Sequence, residues 1–258
     1  MVSRKSRREI ESMRRAGRLV AEVLALVEAE LKPGVTTREL DRLAERHLRA
    51  AGATPSFLGY LGNGRYGKDP HAFRGTICAS IDDEVVHGIP GDRAIRGGQI
   101  VSIDVGAIVD GWHGDGARTF IVGSVPSATA DLVEATRAAL MAGIAAAVPG
   151  NRVGDISGAI EDVAVPGGYG IVRQFVGHGI GTQMHEEPQV TNYRTGARGI
   201  LLQPGICLAI EPMLTLGNEE VEVKADGWTV VTTDGSMAAH FEHTIAVTDN
   251  GPEILTMV

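Results

Sequence analysis

The sequence predicts an α+β fold made of two related halves, and three observations predict it. Apolar patterning runs helices, strands, helices, strands, unlike the strict strand–helix alternation of a parallel sheet. Several motifs occur twice, in the same order, once in each half. Carboxylates close the strand-like runs at matched places in both halves. With 258 residues and 43% hydrophobic composition, the chain can bury about three quarters of its unfolded surface. No Pro/Ser-rich linker interrupts it, so one domain over 1–258 is expected.

Ser6 with Glu9 is a capping box, and Ile10, Met13, Gly17, Val20, Leu24, Val27 and Leu31 form one stripe of a long helix that Pro33-Gly34 ends. Thr36 with Glu39 opens a second helix, with Leu40, Leu43 and Leu48 inward and Gly52 as its stop. Residues 61–75 are rich in Gly, Pro and charge and predict a surface loop. Strands are expected near 76–81, 99–109 and 117–123, helices at 129–148 and 155–164, and strands again at 171–177, 206–213, 228–233 and 241–248.

The repeats run over about 32–123 and 148–248. Pro33-Gly34 matches Pro149-Gly150, each before a helix. His87-Gly88-Ile89 matches His178-Gly179-Ile180, and GQIVSID (98–104) matches GICLAIE (205–211). His113-Gly114-Asp115 with Thr119 resembles His240-Phe241-Glu242 with Thr244. Coincidence explains one such pair more easily than four in order.

Composition narrows the function classes. A net charge of -8 argues against a chain whose main work is wrapping nucleic acid. Arg4, Lys5, Arg7 and Arg8 are a local exception, read as a solvated helix start, with contact to an anionic partner such as a ribosome as the alternative. No apolar run reaches the ~18 residues of a membrane span, and no signal or transit peptide is legible. Cys78 and Cys207 lie far apart in apolar runs, as buried thiols of a reducing cytoplasm would.

Strand alternation puts Ile100, Ser102 and Asp104 on one face, and Cys207, Ala209 and Glu211 on the equivalent face of the other half. A carboxylate ending so apolar a strand is costly unless something pairs with it. Asp115 and Glu242 bring the set to four like charges, and a divalent metal pair would reconcile them. Any one acid alone is more often a turn residue. His178 adds an imidazole between glycines, which let backbone come close to a site. His87 and His185 also sit in Gly- or Pro-flanked segments, whereas His47 falls within a helix and reads as ordinary. His113, His240 and His243 neighbour the acids and could support them from behind. Four carboxylates with one histidine suit Mn, Fe(II) or Co better than a structural zinc. No zinc-protease helix, nucleophile elbow or phosphate loop is present.

The segments VVHGIP, VSIDVGAIVDGWHGDGARTF, GHGIGTQMHEEPQV, AIEPM, DGWTV and FEHTIAVTDNG resemble those of the type I methionine aminopeptidases, from about residue 5 to the C-terminus. The resemblance implies the pita-bread fold, two pseudo-twofold-related α+β halves around a central antiparallel sheet. It implies removal of the initiator methionine from nascent polypeptides whose second residue is small. Asp104, Asp115, His178, Glu211 and Glu242 match the ligands of two divalent ions, with Asp115 and Glu242 bridging. Glu211 matches the general base, His87 the histidine beside the scissile bond, and His185 the one that polarises its carbonyl. Tyr60, Cys78, Met184 and Trp228 fall where the family lines its methionine pocket. Met184 stands where an aromatic is common. The 61–75 loop is longer than usual and is expected to govern access to the site and not its chemistry, with Tyr66 a candidate for the family's second pocket tyrosine. The implied protein is a cytoplasmic monomer with no membrane or direct nucleic-acid role. Hydrolysis of X-Pro bonds by a fold relative is the alternative activity.

Overall fold

Both predicted capping boxes form in the computed structural model, which describes residues 2–62 and 64–257. The Ser6 amide donates to Glu9 Oε2 at 2.7 Å, and the Glu9 amide donates to Ser6 Oγ at 3.4 Å, opening α1 (Arg7–Glu30). Thr36 and Glu39 repeat the arrangement at the start of α2 (Thr37–Ala50). Strands follow as β1 (Thr54–Pro55), β2 (Ile77–Ile81), β3 (Glu84–Val86) and the long hairpin β4 (Gln99–Val109) and β5 (Trp112–Val122). The second half opens with α3 (Ser127–Ala146) and α4 (Val153–Ala164). Its strands are β6 (Gly170–Ile171), β7 (Gly177–Gly179), β8 (Glu186–Val190), β9 (Cys207–Ile210), β10 (Met213–Thr215), β11 (Val221–Val223), β12 (Val230–Thr232), β13 (Ala238–His240), β14 (Glu242–Thr248) and β15 (Gly251–Ile254).

The main sheet is antiparallel, in the order β1-β4-β5-β14-β9-β7-β8, with β2 also on β4 and β15 also on β14. Its centre is the junction of the halves. β5 and β14 pair there at two positions, Glu242 with Ala117 and His243 with Gly116. Threonine side chains continue this short ladder on both sides. Thr119 Oγ1 accepts from the His240 amide (2.9 Å) and donates to the His240 carbonyl (2.8 Å). Thr244 Oγ1 accepts from the Asp115 amide (2.9 Å) and donates to the Asp115 carbonyl (2.8 Å). Each half thus holds the other's backbone through the threonine that the internal repeat pairs.

Each half has its own apolar backing. Val20, Val23 and Val27 of α1 and Leu40 and Leu48 of α2 pack against Val101, Ile103 and Val105 of β4. Leu140 and Ile144 of α3 and Ile156 and Ile160 of α4 pack against Leu208, Ile210, Ile245 and Val247. Gly17 belongs in the helical stripe because α1 crosses β5 backbone to backbone: a Cβ on Gly114 would lie 2.6 Å from the Gly17 amide nitrogen. Among the described residues no helix is long and apolar enough to cross a membrane.

Three strand expectations change. The run 117–123 starts earlier, at Trp112, because pairing with β4 carries the strand through Gly114 and Gly116. The run 171–177 breaks at the exposed Arg173 and Gln174 into β6 and β7. The run 206–213 splits at Glu211-Pro212, where proline offers no N–H to a ladder, and its second part joins a different sheet. His87 follows β3 in a small sheet while His178 lies on β7 in the main one, so that motif pair occupies unlike places.

Candidate active site

Cross-strand partners share a face, as do residues two apart along a strand. The register therefore puts one metal-binding type of side chain on, or directly after, each of five adjacent strands. Asp104 of β4 and Glu242 of β14 both face Ala117, whose small side chain lies between them. Asp115 lies two residues from Ala117 on β5. Glu211 follows Ile210, which pairs with His243, and so falls beside Glu242. His178 pairs with Ala209, two residues before Glu211. The five predicted residues meet on one surface, with ligand atoms of Asp115, His178 and Glu242 all within 4.8 Å of one another. His178 Nε2 is 3.4 Å from Glu211 Oε1.

Local chemistry fixes several orientations. The His178 Nδ1 hydrogen-bonds the Gly179 carbonyl at 2.9 Å, which places the proton on Nδ1 and turns the bare Nε2 inward. Asn192, fully buried, donates to the Glu211 carbonyl at 3.1 Å and secures the chain where Pro212 ends the strand. Among the described residues, buried Asp104 Oδ1 and Glu242 Oε1 have no hydrogen-bond partner. Burial raises Asp104 to about 7. Burial, then the neighbouring carboxylates, push Asp115, Glu211 and Glu242 well above the usual range. Burial also drives His178 down to about 3, keeping its ring neutral. Acids that resist ionising, orphaned oxygens and an inward imidazole lone pair are what a divalent cation would satisfy.

The cavity above this floor measures about 110 Å³ and is walled by Phe57, Tyr60, Phe73, Cys78, His87, Met184, His185 and Trp228. All four predicted pocket residues are there. His185 stacks edge-on against His178, with ring centroids 4.3 Å apart, and its Nδ1 lies 2.7 Å from the Tyr60 hydroxyl. Burial lowers its pKa. His87 has φ +59°, a backbone state that a non-glycine residue adopts only under constraint. Its ring stands edge-on to Phe175 and Trp228. His113 bonds Ser56 Oγ through Nδ1 at 3.0 Å, and His243 bonds Thr256 Oγ1 through Nδ1 at 2.8 Å. His240 Nε2 approaches Glu211 Oε2 only to 3.8 Å.

Phe57, Phe73 and Asn192 were not singled out from the sequence. Phe73 is one of three large apolar side chains in the polar 61–75 loop, with Leu61 and Tyr66, and nothing in the sequence separates it from them. The cavity takes Phe73 from that loop, while Tyr66 stands outside it and packs on Tyr60, ring centroids 5.3 Å apart. The carbonyl of His71 accepts the Trp228 indole N–H at 2.9 Å, so the loop also braces the opposite wall. Lys5 of the basic N-terminal run is buried against Glu186 at 2.6 Å, whereas Arg4, Arg7 and Arg8 are exposed. His47 pairs with Glu22 at 2.8 Å, away from the site. Cys78 and Cys207 are free and buried.

A curled antiparallel sheet backed by two helix pairs, with four carboxylates and a histidine converging on its inner face, defines a metal-dependent hydrolase. The chain belongs to metallopeptidase family M24, whose model matches residues 11–249, and within it to the methionine aminopeptidases. It is similar to the methionine aminopeptidase of Clostridium acetobutylicum, 48% identical over 258 residues, covering 100% of this chain and 99% of that one. Methionine aminopeptidase 1 of Mycobacterium tuberculosis is 49% identical over 264 residues, covering 100% and 96%. The crystal structure of the methionine aminopeptidase from Thermotoga maritima matches with a TM-score of 0.94 and 42% identity over 100% of both chains. The fold is the pita-bread fold. Family and donor cluster together support divalent metal use.

Proposed function

We propose that the protein is an aminopeptidase that hydrolyses the N-terminal methionine from nascent polypeptides whose second residue is small. The observation that carries this reading is the continuity of one cavity. Its floor is the carboxylate–histidine cluster, and its wall is an apolar slot of Phe57, Tyr60, Phe73, Cys78, Met184 and Trp228. Such a slot suits a flexible, unbranched thioether.

Two divalent ions fit the donor set, with Mn, Co or Fe(II) favoured by its four carboxylates and one imidazole. Asp104 would serve one side and His178 and Glu211 the other. Asp115 and Glu242 stand on the two central strands, where a bridging carboxylate belongs. Bound there, the metals would polarise the scissile carbonyl and acidify the attacking water. Glu211 takes that water's proton and later delivers it to the leaving amine. His185 donates to the developing oxyanion, and His87, held rigid by its backbone, contacts the peptide beside the scissile bond. The free N-terminus of the substrate faces the carboxylate floor, which accounts for cleavage at chain ends only.

The protein acts on this reading as one domain and as a monomer in the cytoplasm, consistent with its two buried free thiols. Exposed Arg4, Arg7 and Arg8 are the surface for a transient ribosome contact. Peptides beginning Met-Ala, Met-Leu and Ala-Pro, assayed with and without added Mn or Co, test the activity. Metal-dependent cleavage of Met-Ala above Met-Leu is expected. Preference for Ala-Pro would instead make the protein an X-Pro peptidase.

A further inference from the structure

We propose that Tyr60 is a positioning residue for His185: its hydroxyl donates to Nδ1, so that the single ring proton sits on Nε2, facing the substrate carbonyl. This rests on the functional reading above for the identity of the carbonyl, but the hydrogen bond and its direction are tested independently of turnover.

A neutral imidazole carries one N–H, and the partner of one ring nitrogen decides which nitrogen holds it. His185 Nδ1 lies 2.7 Å from the Tyr60 hydroxyl. The direction of that bond follows from what else the hydroxyl meets. The Gly64 amide approaches the same oxygen at 3.4 Å, and an amide can only donate. The oxygen accepts from Gly64, and among the described residues His185 Nδ1 is the only acceptor that its own proton meets, so that proton is directed to His185. Burial raises the Tyr60 pKa, which keeps that proton in place.

The loop after Tyr60 is built to hold this geometry. Tyr60 and Tyr66 form a backbone bridge, the Gly67 amide donates to the Gly59 carbonyl at 2.9 Å, and the Leu61 amide donates to the Arg65 carbonyl at 2.8 Å. The chain thus curls back over Tyr60, with Tyr66 against its ring. On the other side, His178 confines the His185 ring at a centroid distance of 4.3 Å. The 61–75 segment, expected from sequence to control access alone, reaches the chemistry through Tyr60.

The test compares wild type, Tyr60→Phe, His185→Ala and the double variant as metal-loaded enzymes on a Met-Ala-led peptide, with histidine ring 15N spectra of the wild type and Tyr60→Phe. Phenylalanine keeps the aromatic wall and deletes only the hydroxyl. A tenfold or greater fall in kcat is expected, with KM changed less than about twofold. In the His185→Ala background the same substitution should have no further effect, because its route is gone. The wild-type spectrum should show His185 protonated at Nε2, and Tyr60→Phe should shift that resonance. A rise in KM alone, additive losses in the double variant, or a wild-type His185 protonated at Nδ1 would overturn the assignment. Failure of the wild type to cleave Met-Ala, with the Nε2 tautomer present, would instead remove the functional reading and leave the hydrogen bond standing.

Discussion

Asp104, Asp115, Glu242, Glu211 and His178 stand on or directly after five adjacent strands of one sheet, whereas Phe57, Tyr60, Phe73, Met184 and Trp228 all come from connecting segments. The floor is fixed by register. No one of its side chains can shift along its strand without turning to the opposite face. It is also electrostatically unfavourable by itself, with acids held well above their usual pKa range by burial and by each other. The wall is the reverse. Its apolar side chains gain from burial without help, and each except Cys78 of β2, which pairs with Asp104, can change without disturbing a ladder. Bond-breaking chemistry therefore depends first on the rigid, cation-requiring part, with His185 and Tyr60 of the wall assisting it, and side-chain selectivity on the apolar remainder of the wall.

The largest effect should follow from the floor. Glu211→Gln is expected to lower turnover by about 10²–10⁴-fold, the usual worth of a general base. Asp115→Asn should lose metal as well as rate, measured by elemental analysis of the purified variant. Near-wild-type turnover in either, with the metal content of the parent, would break the distinction between floor and wall. His185→Ala comes next, with a loss of about 10²–10³-fold in turnover, typical of an oxyanion donor. Its metal content should match wild type, because on the proposed reading the ring serves the substrate carbonyl and not the ions. A drop in bound metal would move His185 into the floor.

Wall substitutions should act through selectivity. Trp228→Ala and Phe73→Ala are expected to raise KM for Met-Ala peptides more than they lower kcat. Discrimination between methionine and its near-isosteres in such a slot spans only about 10–200-fold per methylene, so slow cleavage of norleucine analogues should widen in these variants. If kcat falls with KM unchanged in these two variants, Trp228 and Phe73 join Tyr60 and His185 in the chemistry.

The floor was legible in the sequence because strand alternation is strict. Once Asp104 and Glu211 are seen to end matched apolar runs, with Asp115 and Glu242 in matched motifs, convergence follows from symmetry. Thr119 and Thr244 were paired by the same repeat, although only the structure shows them clasping opposite backbones at the junction of the halves. Phe57 and Phe73 were not legible, since loops carry no periodicity and a loop residue's direction is set by distant packing, here against Trp228 and Met184. The break of the 206–213 run was visible in Pro212, but the sequence does not say that the chain after it joins a different sheet.

A smaller effect separates floor from wall in stability. Groups whose pKa is raised by folding stabilise the protein when protonated, and that contribution is lost as pH rises through the folded-state value. For Asp104 the loss is complete above about 7, and for Asp115, Glu211 and Glu242 it continues higher. The buried histidines, all lowered, are neutral in both states above their ordinary range and do not contribute there. Thermal unfolding of the metal-free protein should therefore shift to lower temperature between pH 7 and 9, while the metal-loaded protein changes less. Parallel curves for the two forms would show that the acids are not strained without a cation.

The most direct test of a metal-bearing floor serving an apolar methionine slot is a titration of Mn or Co into metal-free protein. Bound metal and Met-Ala turnover are followed in the same samples. Turnover should be absent at the start and rise with occupancy to a plateau at two ions per chain, while Asp115→Asn neither binds fully nor turns over. Full turnover before any metal is bound, or a plateau that Asp115→Asn reaches as readily as the parent, would contradict it.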